Sequence, residues 1–90
     1  MQNTISTYNG WTNRETWLVS LWLNNDEASY QLLLEAISLN KTNFKKSEWL
    51  KSKLEDEMYD LPLEAGLWTD LLSTALAKVN WLEVIENNQS

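Results

Sequence analysis

The chain has 90 residues and a formal net charge of -6, with six Trp, two Gly, one Pro and neither Cys nor His. Such a length supports one hydrophobic core and leaves little for a second. Without Cys and His there is no disulfide framework, no thiolate nucleophile, no common general base and no common zinc ligand, which excludes most hydrolase and metal-site chemistry.

Residues 1–10 are polar, with no positive cluster and no apolar run, so neither a signal peptide nor a membrane span is expected and the setting reads as the host-cell cytoplasm. Asn9-Gly10 is a turn signal that separates this tail from a single domain over residues 11–86. Apolar residues then recur at spacings of three and four, which predicts an all-α fold, a compact bundle of four to five short helices. Thr12-Asn13-Arg14-Glu15 has the form of a capping box and starts a helix over about 13–23. Asn24-Asn25-Asp26 ends it and caps a second over about 27–39. A third runs from about 44 or 47 to 60, and Pro62 is expected to end or kink it. A fourth spans about 67–79, Asn80 caps a short fifth to about 86, and residues 87–90 are expected to fray.

Helical-wheel positions indicate which faces a core absorbs. On the fourth helix Trp68, Leu71, Leu72, Ala75, Leu76 and Val79 share one side, as an ordinary surface helix requires. On the first, Trp17, Leu18, Val19, Leu21, Trp22 and Leu23 spread over roughly two thirds of the circumference, more than such a helix needs. The second is similarly broad and leaves mainly Gln31, Glu35 and Ser38 for water. The two helices are expected either to form the middle of the bundle, with Trp17 buried, or to pair in a homodimer through residues 13–39.

The third helix has a narrow stripe of Leu50, Leu54, Met58 and Leu61, with Trp49 and Tyr59 off it and expected to face outward. Trp49 shares its face with Lys46, Lys53, Asp56 and Asp60, and an aromatic inside a ring of charges has the composition of a binding hot spot. The candidate partner-binding residues are therefore Trp49, Lys46, Lys53, Asp56, Tyr59 and Asp60, beside an acidic face of Glu55, Glu57 and Glu64. The plainer alternative puts Trp49 under a loop, with its charged neighbours a solvated face.

Charge is divided along the chain. Residues 1–53 carry six bases and five acids, whereas residues 54–90 carry eight acids and only Lys78. The second part should repel phosphate backbones and attract basic surfaces. Glu55, Asp56, Glu57, Asp60 and Glu64 are the only cluster that could bind a divalent cation, with Asp56 and Asp60 at i, i+4 facing one way, but an acidic helix surface is usually just solvated, so no metal and no cofactor is expected. Ser47 and Ser52 stand near Lys51 and Lys53, but nothing supplies the pocket a nucleophilic pair requires, and no enzymatic activity is expected. Lys46, Trp49 and Lys53 have the makings of a stacking platform, yet Lys45, Lys46 and Lys51 point three ways and acids follow at once, which disfavours nucleic acid. Mimicry of a duplex fares no better. Six carboxylates span about 22 Å from Glu55 to Asp70, where a duplex places roughly thirteen phosphates.

Asn9-Gly10-Trp11-Thr12-Asn13-Arg14-Glu15-Thr16-Trp17-Leu18-Val19-Ser20-Leu21-Trp22-Leu23-Asn24-Asn25-Asp26 resembles the opening of a family of small uncharacterised domains encoded by phages, plasmids and bacteria, with the pattern N-x-x-T-W-x-V-x-L-W-x-x-N-[DE]. Gly66-Leu67-Trp68-Thr69-Asp70-Leu71-Leu72 and Val79-Asn80-Trp81-Leu82-Glu83 resemble its G-L-x-x-D-L-L and V-N-W-x-E-I-A segments, with Val84-Ile85 in place of Ile-Ala. The resemblance implies a helical fold and a mobile-element setting and brings no catalytic residue. The resulting expectation is a non-enzymatic accessory protein that binds a host protein, such as a defence nuclease or effector complex, as an anti-CRISPR or anti-restriction inhibitor. The alternative is a dimeric DNA-associated regulator using Lys46, Trp49 and Lys53.

Overall fold

In the computed structural model, residues 8–61 and 66–89 are described, and they form an all-α bundle of five helices. Residues 1–7 of the expected tail, Pro62, Glu64 and Ser90 lie outside the described residues.

The chain enters through a tight turn in which the Tyr8 and Trp11 amides each donate to the other's carbonyl, at 2.7 and 2.8 Å. Asn9 and Gly10 both take positive φ, 50° and 86°, as a type I′ turn demands, and these are residue types that tolerate it. The turn lays the Tyr8 ring edge-on against Trp17, with centroids 5.0 Å apart.

Helix α1 (Arg14–Asn25) starts one residue later than the Thr12 box predicts. Asn13 is the cap, its Oδ1 accepting from the Thr16 amide at 2.8 Å, because an amide oxygen reaches that donor as well as a hydroxyl does. The α1 helix also ends later, since Asn24 and Asn25 donate to the Ser20 and Leu21 carbonyls, both at 2.7 Å, and so occupy acceptors that a helix end leaves bare. Asp26 alone joins α1 to α2 (Glu27–Ser38). Its amide donates to Trp22 O at 2.9 Å while its carboxylate accepts from the Ser29 amide and hydroxyl, at 3.0 and 2.8 Å. Thr42 caps α3 (Asn43–Asp60), the longest helix, and Gly66 precedes α4 (Leu67–Ala77) without a side-chain cap. The α4 helix stops two residues short of its predicted end because the Lys78 and Val79 amides reach back only three residues, to Ala75 and Leu76. Asn80 caps α5 (Trp81–Asn88), accepting from the Glu83 amide at 3.1 Å.

The core corrects the expectation that α1 and α2 form the middle. That place belongs to α5, which packs on α3, α1 and α2 and buries Trp81, Val84 and Ile85 against Leu50, Leu33, Ala36 and Leu23. The α1 helix instead buries Thr16, Ser20 and Leu23, leaving Trp17 only partly covered. On α2, Leu33 and Ala36 are buried, whereas Tyr30 and Leu34 join Gln31, Glu35 and Ser38 in water. An eight-residue helix takes the centre because its apolar positions, Trp81, Val84 and Ile85, fall on one face at spacings of three and four. Residues 87–89 do not fray: Asn88 donates to Val84 O at 2.7 Å and accepts from Asn24 at 3.0 Å, and Gln89 donates to Asn43 at 2.8 Å.

Candidate functional site

Burial of α5 leaves much apolar surface that no other described residue covers fully. The α4 helix has no buried residue at all, and Leu67, Trp68 and Leu71 are each more than half exposed. Its predicted core stripe is thus used only toward its C-terminal end: Val79, past the helix, is buried, Leu72, Ala75 and Leu76 are partly covered, and Trp68 and Leu71 face water. The reason is that, of the other helices, α4 packs appreciably only on α3. On α1, Leu18 and Leu21 are about two fifths exposed and Trp22 is 62% exposed. A monomer rarely leaves so many large apolar side chains in water without a use for them.

Two of these residues, Leu18 and Trp22, help to line an open cleft of about 340 Å³. Leu18, Val19, Trp22 and Leu23 come from α1; Leu54 and Met58 come from α3, with Leu61 just past its end; Leu72 and Leu76 come from α4. Among the described residues only Ser29 and Glu57 bring polar groups to it. A small-molecule site of this size would carry several convergent hydrogen-bonding groups to fix its ligand, and two are few. Chemically the cleft accepts apolar side chains and tolerates one positive charge beside Glu57.

The predicted hot spot is dispersed. Trp49 is half-buried, packed against the core cluster, so the outward orientation expected for it holds only in part. Lys53 places its Nζ 5.4 Å from the Trp49 ring centroid, a cation–π contact that covers more of the indole. Lys46 is turned away, its Nζ 3.4 Å from Gln89 Oε1. Asp56 and Asp60 are exposed, and Tyr59 is exposed as expected. Of the acidic face, Glu55 is half-buried, Glu57 reaches the cleft and Glu64 is outside the described residues. Among the described residues no three acid side chains converge as a metal site, and no helix is long and apolar enough to cross a membrane.

The residues quoted for the family resemblance meet elsewhere, at the starts of α1 and α5. Thr16 Oγ1 accepts from the Asn80 amide at 2.9 Å, and Glu83 Oε1 accepts from the Thr12 amide at 3.0 Å. Asn13 Nδ2 adds a bond to Lys78 O at 2.7 Å. The second capping motif thus supplies, through Glu83, an acceptor for the first amide of the Thr12 box, and Thr16, one residue past that box, supplies one for the Asn80 amide. A model for a family of unknown function, DUF7249, matches residues 4–87. The chain belongs to that family. No curated protein and no solved structure matches it. In this DUF7249 chain the motif residues Asn13, Thr16, Asn80 and Glu83 are occupied in holding α1 to α5.

Proposed function

We propose that this chain is a non-enzymatic protein of a phage or other mobile element that acts by protein–protein contact, inhibiting a host defence system of the CRISPR or restriction type. The observation that carries the binding part is the cleft between α1, α3 and α4, which leaves Leu18 and Trp22 exposed and whose described lining is almost wholly apolar. The mobile-element setting rests on the motif resemblance, and the defence target rests on analogy with other small acidic proteins of such elements. The DNA-associated alternative is less well supported, since Lys46 is directed at Gln89 and the Trp49 ring is half-buried under Lys53, leaving no free stacking face.

Phage plating on hosts that carry a CRISPR or restriction system tests the proposal. Expression of the chain should raise plating efficiency at least tenfold, and only when the defence is present. Unchanged plating across a panel of such systems would overturn the inhibitory role.

A further inference from the structure

We propose that the cleft between α1, α3 and α4 docks a basic amphipathic helix of the partner protein. The inference rests on the protein-binding reading above and names the chemistry of what that surface takes. An apolar hollow of about 340 Å³ accepts inserted side chains, and a helix delivers such anchors at i, i+3 or i+4, and i+7. Recognition by strand addition needs an open sheet edge, and the described residues form no sheet, only the isolated Tyr8–Trp11 bridge.

Charge selects the partner's sign. Among the described residues Glu57 is the one ionic group lining the cleft, and it is exposed. Asp60 follows it by one turn, and the Asp26 carboxylate lies 2.8 Å from the hydroxyl of Ser29, itself a lining residue. From residue 54 to residue 77 the sequence contains no Lys or Arg. Among the described residues of that stretch no ion pair neutralises Glu57, Asp60 or Asp70. Lys53, next to the lining Leu54, is drawn over Trp49. A second copy of the chain would bring one acidic rim against another, whereas a helix with Lys or Arg beside its apolar stripe matches rim and floor together.

The probe is a capped peptide of about 18 residues with a leucine stripe on a lysine background, compared with its leucine–glutamate counterpart. Titration calorimetry with the full chain should give one lysine peptide per chain, weakened at least tenfold between about 50 mM and about 500 mM salt, and no binding of the glutamate peptide. Trp22→Ala and Leu18→Ala, at exposed positions, should each weaken binding about tenfold without loss of helical circular dichroism. Glu57→Lys with Asp60→Lys should do the same. Glu35→Lys with Glu86→Lys makes the same charge change away from the cleft and should stay within threefold. Equal weakening by the two charge pairs would mean general attraction to an acidic protein and would overturn the proposal. So would a chain that is dimeric by light scattering and made monomeric by Trp22→Ala, because a second copy would then fill the cleft. If peptide binding fails while phage plating still responds, the cleft assignment falls and the inhibitory role stands. If binding holds and plating does not respond, the reverse follows.

Discussion

The Thr16 hydroxyl accepts the backbone amide of Asn80 at 2.9 Å and donates to Asn13 Oδ1 at 2.6 Å, so one fully buried side chain joins two helix starts 64 residues apart. Both ends of that link are amides or oxygens that a helix start would otherwise leave to water. The methyl of the same side chain is buried with it, since Thr16 is fully enclosed.

Thr16→Val keeps the volume and removes the acceptor. It should destabilise the fold by about 1–3 kcal/mol, the cost of stranding a buried polar partner. Thr16→Ser keeps the hydroxyl and loses one methyl, at about 1 kcal/mol. Urea denaturation of both variants checks the order. A valine variant as stable as the native chain would mean that the link between Thr16 and Asn80 contributes nothing.

The tryptophans separate by burial. Trp81 is buried in the core, so Trp81→Ala should cost about 3–5 kcal/mol. Trp17 and Trp49 are half-buried, and alanine at either should cost about 2 kcal/mol, roughly half of a full truncation. For Trp17 that is less than a residue of a central helix would give, and for Trp49 it is more than a surface residue would. Guanidinium melts followed by circular dichroism measure all three.

Asp26 supplies a pH dependence with a definite sign. The Ser29 hydroxyl and then the Ser29 amide, both donating to its carboxylate, hold its pKa below the ordinary aspartate value. A depressed folded pKa means that the unfolded chain takes up the proton first. The cap's contribution is therefore present above the ordinary aspartate range and fades as pH falls through the folded pKa. Asp26→Asn retains a capping oxygen but not the titration, so its melting temperature should fall less steeply than that of the native chain between about pH 5 and about pH 2.

Five helices were readable from spacing and cap residues, because Asn80 and Asp26 cap through local hydrogen bonds that short sequence windows contain. The Thr12 box was misread by one residue, since its amide bonds to Glu83, a partner 71 positions away. The wheels placed Trp68 and Leu71 correctly on one side of α4 but not their exposure, because a wheel shows which residues share a face and not whether another helix covers it. The cleft was illegible for the same reason: it exists only where α1, α3 and α4 fail to fill the space between them. Trp49 fell between two readings because a large ring at the edge of a stripe can lean onto the core while part of it stays wet.

The lack of any buried side chain on α4 bears on how the molecule moves. A helix with no side-chain cap, one main neighbour and no core residue opens at a free energy far below that of global unfolding. Its amides should exchange with deuterium ahead of those of α3 and α5, while the rest of the bundle stays closed. The α4 wall of the cleft is thus adjustable: it can swing to fit the bulk of an incoming side chain, and occupancy would be recorded as slower exchange along α4.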